Sequence, residues 1–444
     1  MKSTKIAVLL FLALVAVAIV VVLFRNRGNQ DNTNRPGIMP MPLPAKTFHK
    51  SPEDYNRFAV ESYLKIVRSK GDENAVFSPF SLSMALEILY AGSQGKTPQT
   101  LETLLHLPHL PSDQTGLPQN PALFEDKQPK RVLIDPWPYY THPPFFLVGN
   151  SIWYSDKLTL NPDFAKNMKA AFFLETFPVD AAADRPQVAR DMEQWTNRVT
   201  QGLIPSINPT PPVEASFTLL STLYFKAFWH YQFQTINTRD APFTLANGEM
   251  ITVSTMKDES GFPFMQNEEF KALEMPYIYE GNEDFSERVP KDTRIKSDFS
   301  MLFILPRAVD GISALEEKLS EEFLQEIVGS LNPANLEVSI PKFRLEQEND
   351  LRTIFNDDSL VWNADYSGMF TPNPVTDDIS AKQKIVLGID EHGTEAAVAT
   401  EIGYVSLGSD PPTFIADYPF LFLIRERKSG TILFLGRVMN PNEK

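Results

Sequence analysis

The side chains from which an active site could be built are few. The six histidines are His49, His106, His109, His142, His230 and His392, and the chain has no cysteine. His106 and His109 are three apart, but Pro108 stands between them, so a helical two-ligand metal site is not expected. Without thiols there is no disulfide, no thiolate zinc site, no cysteine nucleophile and no lipid-modified amino-terminal cysteine. No G-x-S-x-G elbow, HExxH helix, phosphate loop or G-x-G-x-x-G turn occurs. Acidic pairs such as Glu316-Glu317 and Asp377-Asp378 read as solvated faces. The residues therefore point away from an enzyme, and no metal or organic cofactor is expected.

The most informative chemistry is peptide chemistry done to the chain. Glu391-His392-Gly393-Thr394-Glu395-Ala396-Ala397-Val398-Ala399-Thr400 follows an apolar strand-like run that ends at Ile389. It is small and alanine-rich, poor in strand propensity, yet lies between two strong strand signals. Taken alone, it reads as a short exposed helix capped by Thr394. From Glu401 through Ile402, Gly403, Tyr404, Val405, Ser406, Leu407, Gly408 and Ser409 to Pro412, the chain reads as an accessible segment suited to a protease that needs an extended peptide.

The elements that position this stretch are legible on either side. Ser51-Pro52-Glu53-Asp54 is a helix start: a hydroxyl cap, a proline where its missing N–H is harmless, and acids at the positive helix end. Tyr55, Phe58, Ala59, Ser62, Tyr63, Ile66 and Val67 then recur on one face until Gly71. Ser78-Pro79 opens a second helix with Leu82, Ala85, Leu86 and Leu89 inward. Thr218–Phe225, Ser300–Leu305, Ile385–Ile389 and Phe420–Ile424 read as strands, and Thr431–Val438 as the return of a hairpin through Lys428-Ser429-Gly430. Helices early and strands late give an α+β class. Two stretches read as irregular: the proline-rich His109–Pro144, a surface excursion, and Gly281–Ser297, a loop insertion.

Composition sets the outer bounds. The chain has 444 residues, 43% hydrophobic and 22% charged, which excludes disorder, collagen and a multi-span membrane protein. Length alone favours two or three domains of about 100–200 residues each. The net charge is −15, and without Lys2, Lys5, Arg25 and Arg27, the only charges in the first 30 residues, it is −19. Nucleic acid is not an expected partner, because phosphate binding needs a basic face. Ile6–Phe24 is an unbroken apolar run of 19 residues, nearly the thickness of a bilayer's hydrocarbon core. The expectation is a signal anchor over residues 1–27 and a proline-rich tether over 28–50, with the rest of the chain extracytoplasmic. The alternative is secretion after cleavage at Ala16-Val17-Ala18, which would leave Ile19–Phe24 as an exposed apolar end. No acceptor sequon for N-glycosylation is present.

Across Ser51–Lys444 the sequence resembles the serpins, a family of serine protease inhibitors. Asn74-Ala75-Val76-Phe77-Ser78-Pro79-Phe80-Ser81 with Ala85-Leu86, and then Gly95-Lys96-Thr97 to Leu101, look like the family's second-helix signature and its continuation. Asn150-Ser151-Ile152-Trp153 resembles the next strand; Trp195 through Thr200-Gln201-Gly202-Leu203-Ile204 resembles the helix and turn after it. Tyr224-Phe225-Lys226 with Trp229 and Phe233 is similar to the central-sheet strand and its breach tryptophan, and Ile340-Pro341-Lys342-Phe343 also matches. Asp390 to Ala397 looks like the reactive-loop hinge. Pro419-Phe420-Leu421-Phe422 and Gly436-Arg437-Val438 with Asn440-Pro441 resemble the carboxy-terminal strands.

The resemblance implies one large domain of three β-sheets, about nine helices and an exposed reactive loop. It implies inhibition by being cut: a protease forms an acyl-enzyme with the loop, and the freed loop inserts into the central sheet and drags the protease along. The hinge residues are then Glu391, Gly393, Thr394, Glu395, Ala396, Ala397, Val398, Ala399 and Thr400, with Thr394, Ala396, Val398 and Thr400 facing inward. Counting as in inhibitory members places the reactive bond between Leu407 and Gly408, with Tyr404 a second apolar site. Leucine there implies chymotrypsin-, elastase- or subtilisin-like targets; the inhibitor is expected to be a monomer. Two departures stand out. Ser221 and Gln383 replace the usual asparagine–histidine pair at the shutter beside Ser78 and Ser81, and Val398 is bulkier than the usual hinge residue. Lys127, Lys130 and Arg131 are too few to make a polyanion site. The alternative function is a non-inhibitory member acting as a binding or chaperone-like module.

Overall fold

The computed structural model describes residues 47–49, 51–107, 117–119, 145–180, 182–204, 208–278, 296–355, 364–394 and 412–443. Its helices are α1 (Pro52–Arg68), α2 (Pro79–Gly92), α3 (Thr97–Leu104), α4 (Pro162–Phe172), α5 (Arg185–Val199), α6 (Ile312–Lys318), α7 (Glu321–Ser330) and α8 (Leu351–Ile354). The first strands are β1 (Thr47–His49), β2 (Ala75–Phe77), β3 (Leu117–Gln119), β4 (Phe145–Ser155), β5 (Thr159–Leu160), β6 (Leu174–Val179) and β7 (Phe217–Trp229). Next come β8 (Arg239–Thr244), β9 (Met250–Gln266), β10 (Phe270–Ile278), β11 (Lys296–Pro306), β12 (Asn332–Pro341) and β13 (Phe343–Asp350). The last are β14 (Phe370–Thr371), β15 (Ser380–Ile389), β16 (Gly393–Thr394), β17 (Thr413–Ile415), β18 (Phe420–Glu426) and β19 (Ile432–Val438).

Both early helices start where the caps place them. Ser51 accepts the Asp54 amide and Ser78 the Ser81 amide. In α1 the apolar face is buried as read. In α2 every residue but Tyr90 and Ala91 is buried, because the helix lies behind the central sheet against β7, β15 and β19. One inward face was too modest an expectation for it.

The central sheet runs β6–β4–β7–β15–β13. β6 is parallel to β4, β4 antiparallel to β7, β7 parallel to β15, and β15 antiparallel to β13. A second section runs β9–β10–β11–β18–β19–β2, and a third β8–β9–β12–β17, so the 17-residue β9 belongs to both. All seven residues of β18 and of β19 are buried, which is why they read as continuous apolar runs rather than alternating ones. The main hydrophobic core reaches from Tyr55 to Met439, and a smaller separate cluster of Trp153, Val179, Val188, Met192, Trp195 and Leu220 lies under α5. The described residues fall within one compact unit.

Other expectations need correction. Thr47–His49, read as the end of the tether, pair in parallel with Leu117–Gln119, inside the stretch read as an excursion. Lys296 and Ser297, read as loop, begin β11. Glu316 is buried, not solvated: Arg437 donates to both of its carboxylate oxygens at 3.1 and 3.0 Å, and the Tyr63 hydroxyl donates at 2.6 Å. Its partners lie more than a hundred residues away, so no local pattern could show them. Among the described residues no helix is long and apolar enough to cross a membrane; the apolar run Ile6–Phe24 lies outside them.

Candidate functional site

The site is the top of the seam between β7 and β15. These strands pair directly from Thr218–Ser380 to Leu223–Ile385. Above that, β16 lies between them, antiparallel to both: Gly393 pairs with Phe228, and Thr394 with Ala227 and Ile389. The local helix reading fails for Thr394, which is a fully buried strand residue. Two facing strand edges offer backbone partners that the isolated segment lacks.

The turn into β16 is held from several directions. Asp390 Oδ1 accepts the His392 and Gly393 amides at 2.8 and 3.2 Å, and the Gly393 carbonyl accepts the Asp390 amide at 3.0 Å. The Trp229 indole donates to the Asp390 carbonyl at 3.0 Å. Gly393 has φ +155°, and a Cβ there would collide with the Ala227 carbonyl oxygen and lie 2.8 Å from Phe228 Cα. Only glycine allows this close approach.

Glu391 is 3% exposed and anchors the turn. The Lys342 ammonium donates to Oε2 at 2.8 Å and the Thr238 hydroxyl to Oε1 at 2.8 Å. Burial by itself would raise its pKa. The Lys342 hydrogen bond, its backbone bond, the Thr238 hydroxyl and the Lys342 charge outweigh burial and hold the carboxyl below its ordinary value. Lys342 fills the single-residue link between β12 and β13, and its amide is fixed on the Ser254 carbonyl at 2.8 Å.

Beneath Thr394 lies Tyr277. Its ring stacks on Trp229 with centroids 4.7 Å apart and planes 8° apart, and its hydroxyl is 2.8 Å from Thr394 Oγ1. Burial pushes the phenol far above its ordinary pKa, so it stays a neutral hydroxyl. Asp390, Glu391 and His392 also place three donor atoms within 4.8 Å of one another, a spacing a metal could use. Both Glu391 oxygens and Asp390 Oδ1 already accept the hydrogen bonds above, and the Lys342 ammonium already pairs with Glu391 Oε2.

Lower on the same seam is the second predicted cluster. The Gln383 side-chain amide donates to the Ser78 carbonyl and to Ser81 Oγ, both at 2.7 Å. Gln383 Oε1 accepts from Asn349 Nδ2 at 3.2 Å and from the Ser78 amide at 3.4 Å. Ser221 donates to the Ser81 carbonyl at 3.2 Å. All five side chains are buried. The serine and glutamine thus form a working network under the strands. Asn349 was missed because only the β13–β15 register brings it opposite Gln383; Tyr277 and Thr238 were missed for the same kind of reason. Glu395, Ala396, Ala397, Val398, Ala399, Thr400, Leu407 and Gly408 lie outside the described residues.

Comparison with known proteins agrees with this geometry. Residues 53–441 match the family model for serpins, serine protease inhibitors. A serpin-like protein of Thermococcus kodakarensis is 30% identical over 397 residues, covering 87% of this chain and 85% of its own length. The leukocyte elastase inhibitor of Bos taurus is 28% identical over 400 residues, covering 87% of this chain and 98% of its own. The crystal structure of human glycosylated kallistatin superposes with a TM-score of 0.73 at 21% identity, covering 89% of this chain and all of that one, a likeness of fold. Motifs, sheet topology and relatives converge: the chain belongs to the serpin family.

Proposed function

We propose that this chain is a suicide-substrate inhibitor of chymotrypsin-, elastase- or subtilisin-like serine proteases. It is cut between Leu407 and Gly408 and traps the acyl-enzyme by inserting its loop. The observation that carries this reading is β16, which already runs antiparallel between two mutually parallel strands, in the orientation a full inserted strand would need. Extending its register downward puts Val398 opposite Leu223 and Ile385. Thr400 then falls opposite Ser221 and Gln383, where an inserting strand must part the two. Apart from Val398, the inward face is small or hydroxylated, which suits entry into a packed sheet. In the same register Ala227 down to Phe217 of β7 would pair with Thr394 to Tyr404.

The chain acts as a monomer, held on the membrane through residues 6–24 with the serpin domain extracytoplasmic; secretion after signal cleavage is the other route to the same compartment. The test mixes the full chain in detergent with chymotrypsin or elastase. The expected result is a covalent one-to-one complex and a released fragment running from Gly408 to Lys444. Cleavage in the loop with fully active protease and no complex would instead assign a non-inhibitory binding role.

A further inference from the structure

The hinge is held at two separable points. The Asp390–His392 turn is fixed by Lys342, Thr238 and Trp229 through bonds that do not involve Thr394. Thr394, two residues on, is at 0% exposure, and its hydroxyl is partnered by Tyr277 at 2.8 Å. Tyr277 has little freedom to adjust. It is itself fully buried, stacked on Trp229 and set by the β10–β7 register, in which it pairs with Trp229. If Thr394 left the seam, its own hydroxyl would find water, but that of Tyr277 would stay behind in the core.

We propose that Tyr277 is a positioning residue that docks the hinge: its hydroxyl pins Thr394 between β7 and β15, so that loop insertion extends an existing pairing instead of nucleating one. This rests on the inhibitory reading above. Nucleating a strand fixes backbone before hydrogen bonds repay it, so a docked first residue shortens the slow part of insertion. Insertion competes with hydrolysis of the acyl-enzyme, and docking therefore favours trapping. A buried hydroxyl without a partner shifts an equilibrium by roughly ten- to a hundredfold, whereas removing both hydroxyls together is nearly neutral. The pair is thus testable as a cycle.

The experiment compares the full chain with Tyr277→Phe, Thr394→Val, the double variant and Thr394→Ser. Peptide-level amide exchange over residues 386–394 is read alongside the moles of chain consumed per mole of chymotrypsin blocked. Thermal unfolding checks that each variant is folded. Each single variant should speed exchange about tenfold and raise consumption several-fold. The double variant should return both toward the parent, and Thr394→Ser should behave as the parent. Unchanged exchange in Tyr277→Phe, or losses that multiply in the double variant, would overturn the proposal. If the parent chain traps no protease, the inhibitory reading fails, while the exchange cycle still decides whether Tyr277 docks the hinge.

Discussion

Replacing Gln383 by methionine tests the cluster under the sheet while keeping side-chain length and packing nearly constant. The substitution removes two donated hydrogen bonds of 2.7 Å and the acceptor for Asn349 and the Ser78 amide. Some groups keep another partner. The Ser78 carbonyl still accepts the Leu82 amide at 3.0 Å, and Asn349 still donates to the Val76 carbonyl at 3.3 Å. Two net hydrogen bonds at about 1 kcal/mol each, plus about 1–2 kcal/mol for Ser81 Oγ and the Ser78 amide left in a dry site, give about 3–4 kcal/mol. For a domain of this size that lowers the unfolding temperature by about 2–5 °C. Scanning calorimetry and urea titration would measure it. Adding Ser81→Ala should cost less in the Gln383→Met background than in the parent, because the partner it loses is already gone. A midpoint within about 0.5 kcal/mol of the parent would refute the claim that this network stabilises the native sheet.

Further outcomes follow from the hinge. Gly393→Ala should expel β16, since its Cβ would meet the Ala227 carbonyl; exchange over residues 386–394 should rise at least tenfold while the core stays protected. Glu391 has a folded pKa below its ordinary 4.5, so its clamp is fully present above that value and is lost as pH falls through the lower folded one. Lys342→Met should therefore loosen the hinge at neutral pH and differ little from the parent in acid, read by exchange across pH. Val398→Ala should ease entry between Leu223 and Ile385 and lower the chain consumed per protease blocked; a rise would contradict the insertion register.

Much of this protein is written locally. The Ser51 and Ser78 caps and the apolar runs of β7, β11, β15, β18 and β19 announce themselves, because helix ends and buried strands each demand particular residue types at short range. The ordered motifs name the family by the same logic. What the chain does not announce is anything set by register between distant strands. Asn349 meets Gln383 only because β13 and β15 pair in one alignment, and Tyr277 meets Thr394 only because β10 carries it beneath the seam. Glu316 looked like a surface acid until Arg437 arrived from the last strand. The hinge itself reverses its local preference: taken alone Thr394 caps a helix, and only the facing edges of β7 and β15 make it a strand. Propensity acts through neighbours in sequence and is worth tenths of a kcal/mol per residue, roughly, while burial and backbone pairing across the sheet are worth several times that. Where the two disagree, the tertiary structure decides.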